Sequence, residues 1–363
     1  FAYGVGIGKT WCSIFTIAQV MDMGLVKRPL IVVPKQVYAQ FTKEISTILG
    51  TQLYPINALY NCTNNIDIIT RKTWHAKASV ITDNSISICT YHGMQQYGFS
   101  EQFDAHLLSR ISEVLSEGNE NLTERQRAKQ LEKHEEMLGK GTEGTTIDID
   151  SSSVNFDFLC FDEAHNAKKV FVDIKGDLLS DQTNKGGKNK GELSETPKRE
   201  KTGYESRAGG APSTIGIKLF FLTQYIQSKT TQGNTLLMTA TPFTNSPLEV
   251  YSMLALINHN YLRKSGFDSV KSFYDVFADM EVKRVMTTGL KVEKRPVFIG
   301  WKNLVALQDV VHSLIDKKGR AEEDKLVERP TKIVLPYKSV MKNGINYPVA
   351  KQNRISTTLK MFD

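Results

Sequence analysis

The segment Gly4-Val5-Gly6-Ile7-Gly8-Lys9-Thr10, running straight into a helical pattern from Trp11 to Met23, restricts this chain more than any other feature. Glycines let backbone N–H groups turn toward an anion, and the helix start behind them adds partial positive charge. Lys9 then reaches the β- and γ-phosphates of a nucleotide, and the Thr10 hydroxyl is a ligand for Mg²⁺. Such a loop normally follows a buried strand, and only Phe1, Ala2 and Tyr3 stand before it. The sequence therefore reads as a piece excised from a longer polypeptide, with its first strand nearly gone. Tyr3 also occupies the position where the generic G-x-x-x-x-G-K-[ST] pattern has its first glycine.

Short apolar runs recur between helical patterns. Pro29 introduces Leu30-Ile31-Val32-Val33, Pro34 ends it, and Val37 to Leu49 is helical again. Ile86-Ser87-Ile88-Cys89-Thr90, Phe156 to Phe161 and Thr235 to Thr239 are further strand candidates. Continuous apolar runs mark strands buried on both faces, and their alternation with helices predicts a parallel α/β sheet.

Two of these runs end in reactive residues. Phe158-Leu159-Cys160-Phe161 leads into Asp162-Glu163-Ala164-His165, and Leu236-Leu237-Met238 leads into Thr239-Ala240-Thr241-Pro242. Asp162 is placed to hold Mg²⁺ and Glu163 to orient and polarise an attacking water. Ligands gather at the carboxyl ends of strands in open α/β sheets, and all three motifs sit at such ends.

Two stretches differ from this pattern. Glu101 to Gly141 contains ERQRAKQLEKHEEML, with both charge signs at helical spacing, which reads as a solvated helix or helical hairpin inserted in the fold. Lys175 to Ser213, rich in Gly, Lys, Ser, Thr and Glu without an apolar period, reads as a flexible basic surface loop. The net charge of +7 suits a polyanionic partner. No run of about 18 apolar residues is present, which argues against a membrane helix. Cys12, Cys62, Cys89 and Cys160 form no CxxC pair, so a reducing cytoplasm is expected and a zinc site is not. His92, His106, His134 and His259 lack metal-ligand spacing, and Trp11, Trp74 and Trp301 read as packing residues.

GVGIGKT, FDEAHN and TATPFTNSPLEVYSML resemble motifs I, II and III of superfamily 2 helicases, nearest the Swi/Snf-like branch. Leu30 to Lys35, followed by Gln40-Phe41, resembles motif Ia, and Ile88-Cys89-Thr90-Tyr91 resembles motif Ib. GLVKRPLIVVPKQVYAQFTKEI and DEAHNAKKVF are similar to the helicase portions of large phage and plasmid polypeptides, some fused to DNA adenine methylases. The likeness covers Tyr3 to about Asn258 well and is thinner from Phe267 to Ile315.

The resemblance implies a RecA-like domain over residues 1–260, with insertions at about 101–145 and 175–213. A mainly helical extension is expected over 261–328, and 329–363 is expected to enter a second RecA-like domain that would carry the arginine finger. It implies ATP and Mg²⁺ at Gly4, Gly6, Gly8, Lys9, Thr10, Asp162 and Glu163. Coupling of hydrolysis to movement falls to His165, Thr239 and Thr241. Backbone contacts with duplex DNA fall to Pro34, Lys35, Thr90 and Tyr91. The expected activity is ATP-driven translocation on duplex DNA. An RNA or strand-separating helicase of the same superfamily, and a packaged phage component without turnover, are the alternatives.

Overall fold

The computed structural model of the chain describes residues 1–4, 6–50, 56–60, 81–95, 97–100, 103–116, 124–138, 147–150, 152, 154–171, 175–179, 199–203, 212–230, 233–243, 246–286, 292–318, 338–342 and 345–349. Trp74, Cys62 and most of the lysine-rich stretch lie outside them.

The chain begins with strand β1 (Ala2–Tyr3), helix α1 (Lys9–Asp22), strand β2 (Pro29–Val33) and helix α2 (Tyr38–Leu49). Strands β3 (Ile56–Tyr60) and β4 (Ile86–Thr90), helix α3 (Tyr91–Gln95) and strand β5 (Tyr97–Gly98) follow. Helices α4 (Ala105–Ser116) and α5 (Glu124–Leu138) precede strands β6 (Ile147–Asp148), β7 (Phe158–Phe161), β8 (Lys175–Leu179) and β9 (Arg199–Gly203). Next come α6 (Thr214–Ser228), β10 (Thr235–Leu237), α7 (Pro247–Lys264), α8 (Val270–Phe277), β11 (Ala278–Met286) and β12 (Val292–Trp301). Helix α9 (Leu304–Leu314) and strands β13 (Lys317–Lys318), β14 (Lys338–Lys342) and β15 (Ile345–Val349) close the series.

The fold is the α/β class expected, with a parallel central sheet in the order β10-β7-β2-β4-β3. Its side chains alternate between two cores, as the two-residue period of a strand requires. Leu30, Val32, Cys89, Leu159, Phe161 and Leu237 face one core, which α6 and α7 cover with Phe220, Phe221, Tyr251 and Leu254. Ile31, Val33, Ile88, Cys160 and Met238 face the other, covered by Ile14 and Ile17 of α1 and Phe41 and Ile45 of α2. Burial on both faces explains why these strands read as unbroken apolar runs.

The first strand is short but not lost. The Phe1 amino group donates to the Leu237 carbonyl at 2.7 Å, and Thr239 N–H donates to the Phe1 carbonyl at 3.1 Å. That is a parallel ladder step against β10. On its other flank β1 pairs in parallel with β13. The central sheet thus continues as β13-β1-β10-β7-β2-β4-β3. Tyr3, standing in place of the first loop glycine, is buried and donates its hydroxyl to Asp316.

Three expectations need correction. The 101–145 segment does form a helical pair, but it is not merely solvated. Leu107, Leu108, Ile111 and Leu115 of α4 and Leu138 of α5 enter the core shared with α6. Ser112 and His134 join α4 to α5 at 2.7 Å. In the stretch expected to be a loop, β8 and β9 pair antiparallel, and residues 180–198 and 204–211 lie outside the described residues. The expected helical extension holds an antiparallel hairpin, β11–β12, between α8 and α9. Val282 and Val285 stand three residues apart and Val292 and Val297 five apart among charged neighbours, so no two-residue strand period marks this hairpin in the sequence. His259 is buried, against Phe220 at 5.7 Å, as a core histidine should be. Among the described residues, no helix is long and apolar enough to cross a membrane.

Candidate nucleotide site

The glycine loop joins β1 to α1 with Gly6 at φ 89° and Gly8 at φ 80°. L side chains rarely adopt this region, so the glycines are what allow the chain to turn its N–H groups outward. A Cβ placed on Gly8 would meet nothing within 4 Å, so the loop mouth is open. No side chain caps α1, and its first turn contains no acidic residue. The partial positive charge of the helix start is therefore left for an external anion. Among the described residues, Lys9 Nζ bonds to carbonyls of its own loop, Tyr3 and Gly4, each at 3.1 Å. These are bonds a phosphate oxygen can replace.

Across from the loop, β7 delivers Asp162 and Glu163. Asp162 N–H donates to the Val32 carbonyl, and Ala164 N–H to the Met238 carbonyl, both at 2.9 Å. The acidic turn is thus pinned between β2 and β10. Burial, followed by the neighbouring Glu163 charge, pushes the Asp162 carboxyl up to about 6. A cation at this carboxylate would relieve both effects, as expected of a metal ligand. Uncapped N–H groups, Lys9, the Thr10 hydroxyl and a half-buried carboxylate together form a donor set that fits a Mg²⁺–nucleotide.

Glu163 has φ 50° and ψ 51°, a left-handed conformation that costs a non-glycine residue about 1 kcal/mol or more. Its carbonyl accepts from Asn166 N–H at 3.0 Å, Asn166 Nδ2 at 3.2 Å and the Tyr91 hydroxyl at 3.3 Å. Its carboxylate lies 3.1 Å from His165 Nδ1. That nitrogen is also 3.2 Å from Thr239 Oγ1, which accepts from Thr241 N–H at 3.1 Å. One continuous chain of contacts therefore links the acidic turn to the motif after β10.

The expected DNA contacts divide. Lys35 is exposed and Pro34 partly exposed at the carboxyl end of β2. Thr90 is 1% exposed, and its hydroxyl accepts from Gly93 N–H at the start of α3. Tyr91 stacks on Phe161 with centroids 4.9 Å apart and donates to the Asp162 carbonyl at 2.5 Å. Thr90 thus braces the start of α3, and Tyr91 supports the acidic turn. The reason is register: β4 ends beside β2, close under the turn after β7.

Sequence reading missed two further supports. Lys168 Nζ lies 3.0 Å from Glu249 Oε1, with side chains 18% and 6% exposed. This pair ties the turn after β7 to the first turn of α7. A lysine two residues after His-Asn and a glutamate inside an apolar helix start were the only signals. Gly216 permits α6 to abut the same turn, since a Cβ there would stand 2.5 Å from the Lys169 carbonyl. Trp11, expected in the core, is instead half exposed on α1. A cavity of about 640 Å³ flanks β1, lined by Phe1, Leu237, Thr239, Ile257 and Asp316, but no described residue of the glycine loop lines it. The loop mouth, defined by its chemistry, remains the candidate site.

The Asp162 shift gives a test. Its folded value lies above the unfolded one, so the folded state holds this proton more tightly. That contribution favours folding at low pH and is lost as pH rises through about 6. Asp162→Asn should therefore raise the melting temperature at pH 8 by roughly 2–4 °C, and the gain should shrink to nothing near pH 4. An equal gain at both pH values in thermal unfolding would contradict this origin.

A parallel sheet that gathers a glycine loop, an acidic turn and a Thr-Ala-Thr motif along its carboxyl edge has the layout of a nucleotide-binding site. Residues 1–175 match the family described as "Type III restriction enzyme, res subunit", a superfamily 2 helicase-like domain. Over 178 residues the chain is 24% identical to the protein named "Defense against restriction protein B" of Escherichia phage P1. That stretch is 49% of this chain and spans 7% of the phage protein.

Proposed function

We propose that this chain is the ATP-binding motor domain of a DNA translocase or helicase that couples ATP hydrolysis to movement on duplex DNA. The observation that carries the reading is the unbroken contact path from Glu163 through His165 to Thr239 and Thr241. Lys9 exchanges its bonds to the Tyr3 and Gly4 carbonyls for phosphate oxygens. Asp162 and Thr10 hold the divalent cation, and Glu163 orients the attacking water. Bound Mg²⁺ supplies neutralisation of phosphate charge. His165, shared between Glu163 and Thr239, reports the state of the acidic turn to the segment entering α7. Lys35 grips backbone phosphate without reading sequence.

A second RecA-like domain closes the nucleotide cleft in this reading and brings an arginine finger, worth roughly 10³–10⁵ in rate in related NTPases. The phage relative favours a phage-borne setting, and a particle component without turnover is the second reading. Steady-state phosphate release tests both. The full-length protein should show hydrolysis stimulated by duplex DNA, near the roughly 10 s⁻¹ typical of enzymes. The 363-residue chain alone should show weak nucleotide binding and no DNA-stimulated turnover. Stimulation by RNA alone would move the assignment to an RNA helicase. A full-length protein that binds ATP but never turns it over would favour the particle component.

A further inference from the structure

Helix α1 carries two aromatic rings that its own packing leaves out. Trp11 is 50% and Phe15 54% exposed, and their ring centroids lie 6.3 Å apart. Ser13, Ile14, Ile17, Ala18 and Met21 bury the neighbouring face of the same helix. The two rings, four residues apart, therefore form one outward aromatic stripe. Exposure of this much aromatic surface is costly unless something covers it in use.

Position identifies what covers it. Trp11 follows Thr10 directly and lies in the first turn of α1. Helical side chains lean toward the N-terminus of their helix. The indole therefore leans toward the uncapped N–H groups at Gly8 to Thr10. We propose that Trp11, extended by Phe15, is the platform on which the base of the bound nucleoside triphosphate stacks. This rests on the reading of the glycine loop and Lys9 as the phosphate site. A nucleotide held by its phosphates at the start of α1 carries its base outside the loop, within reach of a residue one position beyond the phosphate-binding threonine. Stacking on an aromatic face uses the π surface that every base offers, so Trp11 contributes affinity for the nucleoside part. It contributes nothing for the phosphates.

Binding of Mg²⁺–ATP and of Mg²⁺–tripolyphosphate to the 363-residue chain separates the two parts. Trp11→Ala should weaken ATP binding by about tenfold or more while leaving tripolyphosphate affinity within about twofold. Trp11→Phe should restore most of the loss, because a ring is retained. Because Trp11 is exposed, the melting temperature of Trp11→Ala should stay at the wild-type value. Equal weakening of both ligands would assign Trp11 to the shape of the loop and overturn the platform. Unchanged ATP binding by Trp11→Ala would overturn it as well and leave the stripe to a protein partner, with the phosphate site intact. Failure of the wild-type chain to bind either ligand would overturn the phosphate site and the platform together.

Discussion

Lys9→Ala is expected to weaken Mg²⁺–nucleotide binding to the chain by about tenfold to a hundredfold, the worth of a charge-assisted contact to phosphate. Glu163→Gln is expected to leave binding nearly unchanged and to lower hydrolysis by the full-length protein by about 10²–10⁴, the usual contribution of a positioned acid–base group. The split follows from where the two side chains stand. Lys9 Nζ already lies inside the loop, on the Tyr3 and Gly4 carbonyls, and has only to change partners. Glu163 is held in a left-handed backbone by Tyr91 and Asn166, with its carboxylate against His165. Glutamine keeps that shape but cannot polarise water. Nucleotide binding and phosphate release, measured on both variants, decide the matter. Both variants retaining more than about a tenth of wild-type turnover would sink the site assignment.

The largest expected loss of stability comes from the Lys168–Glu249 pair. Glu249→Ala removes the carboxylate 3.0 Å from an ammonium that is itself only 18% exposed. Breaking a buried pair from one side costs about 3–5 kcal/mol, because the remaining charge stays desolvated. The melting temperature should fall by roughly 10 °C. Replacing both residues together, Lys168→Met with Glu249→Leu, should recover most of the fall. A double variant as unstable as Glu249→Ala would mean that the pair does more than cancel charge. Since it joins the acidic turn to α7, the double variant should also reveal whether the link matters for DNA-stimulated hydrolysis.

Legibility in the sequence followed physical range. Wherever function rests on local backbone geometry, the pattern was readable. Gly6 and Gly8 take the positive φ that only glycine adopts freely, and Asp162-Glu163 ends an apolar strand that the sheet buries on both faces. Residues 261–328 were harder, because β11 and β12 lie between helices and carry no clean two-residue alternation of their own. The helices α4 and α5 were legible as helices, but their mixed charges hid the apolar face that packs on α6. Thr90 and Tyr91 have the residue types of a phosphate contact, and no local signal separates that role from support of a neighbouring strand.

By itself, the sequence determined the α/β class, the order of the three motifs and the side chains proposed to bear the chemistry. Each depends on periods of two to four residues or on a single backbone conformation. Only the tertiary structure decided that Phe1 to Tyr3 stand between β10 and β13, that Tyr91 braces the acidic turn, and that Lys168 meets Glu249. These are pairings between residues about 70 to 315 positions apart. They are fixed by strand order and by which helix covers which face, neither of which a local period encodes.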